Sequence, residues 1–226
     1  MSDIVRTEGL KKSFKTKYGR VDALRGIDMS VAEGEFVMLL GKSGCGKSTL
    51  LNIIGFMDSP DGGKYYFDGE DVSSLSNDGK ADYRAKRLGF VFQQFNLIYT
   101  MTAFENVELP LGYAGIEKSA RREKVERMLK KVGIGDRADH LPSEMSGGEQ
   151  QRCAIARALI MEPKLILADE PTGNLDEDST EKIMQLLKEI NAGGTAILMV
   201  THDTDLTVYS DRIIKMKAGM ISDDTE

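Results

Sequence analysis

Residues 41–49 read GKSGCGKST, which matches the spacing G-x-x-x-x-G-K-[ST]. The match follows a short apolar run, Phe36–Leu40, and precedes apolar residues at helical spacing, which are Leu50, Leu51, Ile53 and Ile54. Glycines between a strand and a helix let backbone N–H groups converge on phosphate oxygens, and the helix N-terminus adds a partial positive charge. The sequence therefore predicts a phosphate site in which Lys47 supplies a positive charge and Ser48 supplies a hydroxyl group for Mg²⁺.

Three more apolar runs, at 88–92, 165–168 and 196–200, alternate with helix-like stretches. Their apolar residues are continuous, which is typical of parallel strands that are covered on both faces. Residues 27–31 and 65–67 have the pattern of antiparallel strands with one solvated face. These patterns predict an α/β domain with a mostly parallel sheet and an antiparallel part near the N-terminus.

The pattern changes between about residue 96 and about residue 160. Apolar residues at helical spacing predict one helix over 118–132 and a second over 147–160. We interpret this stretch as a helical subdomain inserted into a core of about residues 1–95 and 161–226, so that residues 1–226 form a single domain. The acidic residues at 222–226 are expected to fray.

The composition favours a soluble globular protein, because 41% of the 226 residues are apolar and 29% are charged. A net charge of −6 argues against nucleic-acid binding as the main role. Two cysteines, Cys45 and Cys153, make no disulfide framework and indicate a reducing compartment. No apolar run approaches the ~18 residues that cross a bilayer, so a partner protein is expected to supply any membrane part.

Two carboxylates, Asp169 and Glu170, follow the apolar run at 165–168. Ligands of open α/β sheets bind at the carboxyl ends of the strands, so these side chains are expected near the phosphate loop. Asp169 would hold Mg²⁺ through water, and Glu170 would orient and deprotonate an attacking water. The alternative is that the pair only caps the following turn.

Residues 145–152 read MSGGEQQR and open the second predicted helix of the subdomain. This stretch resembles the signature sequence of ABC-transporter ATPases. The family's other elements follow the same order: Gln93 resembles the Q-loop glutamine, GNLD at 173–176 resembles the D-loop, and His202 resembles the switch histidine. The resemblance covers about residues 4–221. It implies a P-loop NTPase core, an N-terminal antiparallel β subdomain and an inserted α-helical signature subdomain.

The resemblance also implies roles for individual residues. The catalytic candidates are Glu170, His202, Gln93 and Lys47, and the Mg²⁺ candidates are Ser48, Gln93 and Asp169. The candidates for binding ATP are Phe14, Gly41, Ser43, Gly44, Cys45, Gly46, Lys47, Ser48, Thr49, Ser146, Gly147, Gly148 and Asp176. Phe14 would stack on adenine, with a core aromatic as the alternative and Tyr18 as a substitute.

The stretch FNLIYTMTAFENVELP at 95–110 resembles the MacB/LolD branch of the family, whose members serve macrolide export and lipoprotein release. Three residues depart from the family pattern: Tyr99 and Lys42 each replace a frequent proline, and Glu149 replaces a common glutamine. We expect Phe95, Leu97, Ile98 and Tyr99 to be exposed together as a docking site, unless they pack under the subdomain.

The resemblance implies an ATPase that forms an ATP-dependent homodimer, with a separate integral-membrane permease, at the cytoplasmic face of the cell membrane. The alternative within the family is an FtsE-like regulator of cell division. A soluble ABC protein of translation or DNA repair is disfavoured because such proteins carry two cassettes or a long coiled coil. A GTPase is disfavoured because the sequence has no Asn-Lys-x-Asp motif.

Overall fold

The computed structural model describes residues 2–17 and 19–225. In these residues ten strands form two sheets. The strands are β1 (Asp3–Thr16), β2 (Gly19–Ala32), β3 (Phe36–Leu40), β4 (Gly62–Phe67), β5 (Glu70–Asp71), β6 (Leu88–Phe92), β7 (Leu165–Asp169), β8 (Ala196–Thr201), β9 (Arg212–Lys217) and β10 (Met220–Thr225). The described helices are α1 (Lys47–Ile54), α2 (Asn77–Arg87), α3 (Ala103–Tyr113), α4 (Lys118–Lys131), α5 (Gly147–Leu159) and α6 (Glu177–Ala192).

The larger sheet has the strand order β10-β9-β3-β8-β7-β6, and only β10 runs antiparallel to its neighbour. Every residue of β3 and β8 is buried. The continuous apolar runs therefore form strands that are covered on both faces, as the sequence predicts.

The smaller sheet is antiparallel and has the order β2-β1-β4-β5. It is formed largely by the N-terminal residues, which confirms the predicted antiparallel part. Its side chains and one face of the larger sheet share a buried apolar cluster, which includes Ile4, Leu10, Ile27, Leu39 and Leu198.

The segment between β6 and β7 is helical, as predicted, with α4 and α5 ending within one residue of the predicted bounds. Val125 and Leu129 of α4 share one buried cluster with Phe36 and Met38 of β3, so the helices and one face of the larger sheet have a continuous apolar core. The division of the chain at about residues 96 and 160 stays a prediction.

The expected fraying of the C-terminal tail is wrong for residues 222–225, which belong to β10. Arg212 of β9 donates two hydrogen bonds of 2.6 Å to the carboxylate of Asp224, and Lys215 donates one of 2.8 Å to Asp223. The acidic residues are ordered because the neighbouring strand carries the cations that pair with them.

The expected exposure of the apolar group at 95–99 is wrong in part. Leu97 is buried in the core of the helical segment, and Phe95 packs against that core. Ile98 and Tyr99 are exposed. A buried amide explains the folding of this loop: Asn106 of α3 accepts a hydrogen bond from the Ile98 N–H and donates to three backbone carbonyls nearby.

Candidate active site

Four parallel strands bring the main sequence motifs to one edge of the larger sheet. Their paired positions are Leu40 with Thr201, Asp169 with Val200, and Phe92 with Asp169. The residues that follow these strand ends are the loop from Gly41, the His202 side chain, Glu170 and Gln93. The carboxyl edge of the sheet therefore assembles the phosphate loop with the candidate catalytic groups.

The phosphate loop leads directly into α1, whose N-cap is Gly46. Gly46 has a φ of 108°, and a Cβ there would lie 2.5 Å from the Ala23 carbonyl oxygen, so both the backbone and the packing require glycine. No side chain caps α1. Its first N–H groups are therefore available to an anion.

Lys47 lies across the phosphate loop. Its side chain is buried, and its ammonium donates a hydrogen bond of 2.6 Å to the Gly41 carbonyl and a longer one of 3.3 Å to that of Lys42. Beside the loop a cavity of about 720 Å³ is lined by residues 40–45, His202 and parts of β9. The loop, the lysine and the cavity form a cradle for a polyphosphate.

Asp169 and Ser48 are in contact at this edge. Burial, and then the neighbouring charge of Glu170, raise the pKa of Asp169, whereas a hydrogen bond from Ser48 and the charge of Lys47 lower it. A partly desolvated carboxylate is stabilised by a nearby cation. The hard oxygen donors of Ser48 and Asp169 fit Mg²⁺, which binds through few protein ligands and keeps waters and phosphate oxygens.

Gln93, the third Mg²⁺ candidate, contacts the D-loop segment instead. Its side-chain amide donates a hydrogen bond of 3.2 Å to Asn174, and the Asn174 amide donates one of 3.0 Å to the Gln93 carbonyl. The Gln93 side chain packs closely on Gly173, where a Cβ would lie 2.7 Å from the Gln93 amide nitrogen. No sequence pattern predicts the contact between Gln93 and Asn174.

Glu170 and His202 form a pair. The Nδ1 atom of His202 lies 2.9 Å from one carboxylate oxygen of Glu170 and 2.8 Å from the other. Glu170 has a φ of 47°, and its N–H donates to the Val200 carbonyl at 2.9 Å. A left-handed backbone is unfavourable for a non-glycine residue, and such positions cluster at functional sites.

The signature residues open α5. The Ser146 hydroxyl accepts a hydrogen bond from the Glu149 N–H, and the Glu149 carboxylate accepts one from the Ser146 N–H, which is a capping box. The capping bond uses the N–H of Glu149. The N–H groups of Gly147 and Gly148 come before it, at the positive end of the helix dipole. The first turn of α5 therefore has free donors for an anion.

The signature turn packs against the segment that follows β7. A Cβ at Gly147 would lie 3.2 Å from Leu175, and one at Gly148 would lie 3.1 Å from the Ser179 hydroxyl. Leu175 belongs to the D-loop segment, and Ser179 belongs to α6. The phosphate loop follows β3, and β8 and β7 lie between β3 and β6 in the larger sheet. The chain thus has two separate helix starts with free N–H groups, one in the phosphate loop and one in the signature turn.

Two candidates for ATP binding lie outside these clusters. Phe14 is 42% exposed and faces Val21 across the β1–β2 pair, so it is not the core aromatic of the alternative interpretation. Tyr18, its possible substitute, lies outside the described residues. Asp176 is the N-cap of α6 and accepts hydrogen bonds from the Ser179 N–H and hydroxyl. The roles of Phe14 and Asp176 toward ATP stay predictions.

Both cysteines are free thiols with buried side chains. Cys45 fills space in the phosphate loop, where a Cβ at Gly41 would lie 2.6 Å from its sulfur. Cys153 lies in the core of the helical segment, and burial raises the pKa of its thiol to about 12.

The fold, the phosphate loop and the carboxylates that follow β7 define a P-loop nucleotide hydrolase. Residues 24–173 match the family model described as "ABC transporter", and the chain belongs to this family. It is the ATP-binding subunit of an ABC transporter, and it hydrolyses ATP.

Known proteins of the family are similar over nearly the whole chain. The chain is 48% identical over 218 residues to the uncharacterized ABC transporter ATP-binding protein MJ1508 of Methanocaldococcus jannaschii, covering 96% of this chain and 97% of that protein. It is 46% identical over 222 residues to the macrolide export ATP-binding/permease protein MacB of Brucella abortus, covering 98% of this chain and 34% of MacB. The chain thus spans about a third of that relative. These similarities confirm the resemblance to the MacB branch.

A solved structure has the same fold. It is described as a dimeric, post-hydrolysis state of the ATP-binding cassette MJ0796 with ADP and Pi. It superposes with a TM-score of 0.89 at 42% identity and covers 98% of both chains. In the described part of the present chain, no helix is both long enough and apolar enough to cross a membrane.

Proposed function

We propose that two copies of this chain close around two molecules of Mg-ATP and drive a separate MacB/LolD-like permease. The cargo would be a peptide, lipoprotein or drug that the permease exports or extracts. The single observation that carries the dimer is the separation of the two anion-binding helix starts within one chain. A second copy, facing the first, can place its α5 against the phosphate loop of its partner.

Each composite site would combine residues from both copies. One copy supplies Lys47, Ser48, Gln93, Asp169, Glu170 and His202, and the other supplies Ser146, Gly147 and Gly148 of the signature turn. The dimeric description of the MJ0796 cassette supports this assembly. ATP would then act as the contact between the copies, since each triphosphate has donors from both.

Glu170 is proposed to accept the proton of the attacking water. Its carboxylate is held by His202, which keeps it at the strand end beside Asp169. Lys47 and the first N–H groups of α1 would neutralise charge that develops on the phosphate oxygens. When bound at Ser48 and Asp169, Mg²⁺ would supply further charge neutralisation.

The test of the shared site uses Glu170→Gln, which keeps the shape of the side chain and removes the proton acceptor. We expect ATP to convert this variant to a stable dimer in size-exclusion chromatography with light scattering. The control is Glu170→Gln combined with Ser146→Arg, which should stay monomeric because the arginine fills the space of the triphosphate. A monomeric Glu170→Gln protein at high protein and ATP concentrations would refute the shared site.

The permease is proposed to dock beside the exposed residues Ile98 and Tyr99. These residues lie between Gln93 and α3, so a contact there can reach the active site through one short loop. The MacB relatives are described as macrolide export ATP-binding/permease proteins, which supports a membrane partner and favours transport over cell-division regulation.

Site-directed crosslinking tests this docking surface. A cysteine at Tyr99 should crosslink to the co-expressed permease in membranes. The matched control is a cysteine at Glu123, an exposed residue of α4 that lies far along the chain from the loop. Crosslinking at residue 123 with none at residue 99 would show that the permease binds elsewhere.

A further inference from the structure

The signature helix α5 holds the loop that follows β6 through two side chains. The first is Gln151, which is completely buried. Its amide nitrogen donates to the carbonyl of Phe92, at 3.3 Å, and to the carbonyl of Pro171. Phe92 directly precedes Gln93 and Pro171 directly follows Glu170, so one buried amide joins the two catalytic strand ends to α5.

The second side chain is Arg157, which lies six residues, about 1.7 turns, further along α5. Its guanidinium donates hydrogen bonds of 2.6 Å to the Asn96 carbonyl and 3.0 Å to the Phe95 carbonyl. Burial lowers the pKa of this guanidinium. Within residues 2–17 and 19–225, no carboxylate forms an ion pair with it. A cation that gives up hydration for two backbone carbonyls fixes the position of those carbonyls.

The backbone that Arg157 holds is strained. Phe95 has a φ of 57° and Asn96 a φ of 51°, two consecutive non-glycine residues in the left-handed region. Each such residue costs of the order of 1 kcal/mol and persists only where its surroundings impose it. The guanidinium of Arg157 restrains this backbone, because it donates hydrogen bonds to the carbonyls of both left-handed residues.

Together these contacts clamp the loop on both sides of Gln93. Gln151 bonds the carbonyl before it, Arg157 bonds two carbonyls after it, and Asn174 bonds the carbonyl of Gln93 itself. Helix α5 spans 13 residues, about 20 Å, and its backbone hydrogen bonds are continuous from the signature turn to Arg157. Any displacement of the signature turn at its start is therefore passed to the loop.

We propose that Gln151 and Arg157 are positioning residues that couple the two active sites of the dimer. ATP that is bound by the signature turn of one chain sets the position of α5 in that chain. The clamp then sets the position of Gln93 in the same chain. This Gln93 belongs to the other active site, to which the chain contributes its phosphate loop. This inference rests on the proposed shared sites. It predicts that hydrolysis is cooperative in ATP and that the cooperativity depends on the clamp.

The test variant is Arg157→Lys, which keeps the charge and the aliphatic chain but loses the planar pair of donors. Its matched control is Arg122→Lys in α4, where the arginine pairs with Glu126 at the surface. In the nucleotide-free monomer, hydrogen–deuterium exchange of the amides at 94–98 should rise in Arg157→Lys and stay unchanged in Arg122→Lys. Unchanged exchange at 94–98 in Arg157→Lys would overturn the clamp.

Steady-state kinetics tests the coupling. For Arg157→Lys we expect kcat to fall by about 10- to 100-fold, as misplacement of a positioned group does. We also expect the Hill coefficient for ATP to fall toward 1 while ATP affinity of the monomer is retained. Gln151→Leu should act in the same direction. Normal kcat and Hill coefficient in Arg157→Lys would overturn the coupling.

The outcome of the dimer test separates this inference from the function on which it rests. If the proposed shared site is wrong, the Glu170→Gln protein fails to dimerise although Arg157 is intact. If only the proposed coupling is wrong, the Glu170→Gln protein dimerises normally and the Arg157→Lys enzyme keeps full cooperativity.

Discussion

The imidazole of His202 contacts both carboxylate oxygens of Glu170, at 2.9 Å and 2.8 Å, although 32 residues separate the two side chains in the sequence. The pair forms because β7 and β8 are parallel neighbours with Asp169 opposite Val200. A histidine that holds the proton acceptor in place acts on turnover more than on nucleotide affinity.

Replacing His202 with alanine is therefore expected to lower kcat by about 100-fold or more, with little change in the Kd for ATP. Turnover and binding of a fluorescent ATP analogue would be measured on the same preparation. Thr204→Ala provides a control near the same loop. A variant in which affinity falls as much as kcat would contradict a role confined to the chemical step.

Lys47→Ala is expected to weaken ATP binding by at least about tenfold and to abolish hydrolysis, because charge-assisted hydrogen bonds contribute ~1.5–3 kcal/mol. Lys42→Ala is the matched control, since it removes a positive charge from an exposed residue of the same loop. Isothermal titration and phosphate release would report both effects. Equal losses in the two variants would argue against a special position for Lys47.

Phe14→Ala is expected to weaken ATP binding by about tenfold, since stacking of a base on an aromatic ring contributes ~1–3 kcal/mol. Phe14→Tyr should retain affinity. Tyr113→Ala removes an aromatic ring that is 83% exposed on α3 and serves as the control. Full affinity in Phe14→Ala would leave Phe14 without a role toward adenine.

Glu149, which replaces the common glutamine of the signature, is expected to make stability depend on pH. Hydrogen bonds from the Ser146 N–H and then from the Arg137 side chain lower the pKa of Glu149 to about 2, from a model-compound value of 4.5. A lowered pKa in the folded state stabilises the fold above pH ~4.5, and the contribution is lost as the pH falls toward ~2.

Glu149→Gln should thus lower the free energy of unfolding at pH 7 by about 1 kcal/mol, which is typical of a helix cap with a partly exposed ion pair. The difference from wild type should shrink as the pH falls below ~4.5. Denaturant titrations at several pH values would test this. With Arg137→Gln as the background, the effect of Glu149→Gln should become smaller, and full additivity would show that the ion pair contributes nothing.

Cys153 is expected to resist alkylation in the folded protein between pH 7 and pH 9. The thiolate is the reactive form, and a pKa of about 12 keeps its population negligible over this range. Mass spectrometry after treatment with iodoacetamide would measure the modification, with guanidinium-unfolded protein as the positive control. Rapid alkylation at pH 8 in folded protein would contradict the buried environment of Cys153.

The local spacing of residues in the sequence determines much of the fold and of the candidate site. The phosphate loop, the buried strands and the cap at Ser146 follow from residues within one or two turns of each other, because side-chain periodicity, glycine conformations and capping hydrogen bonds are short-range. The same short range explains the errors. Nothing near residues 222–225 shows that β9 supplies cations to pair with them, and nothing near Leu97 shows the core that covers it.

Only the tertiary structure decided which distant groups meet. Gln93 bonds Asn174 across 81 residues, and Arg157 bonds Asn96 across 61. Neither contact has a sequence signal. The glutamine at 151 does have one, because a polar residue on the apolar face of a predicted helix indicates a buried hydrogen bond. These contacts depend on the order β3-β8-β7-β6 and on how α5 lies against the end of β6. Strand order is set by the burial of whole faces, which depends on the complete chain, and it places side chains together that local spacing cannot relate.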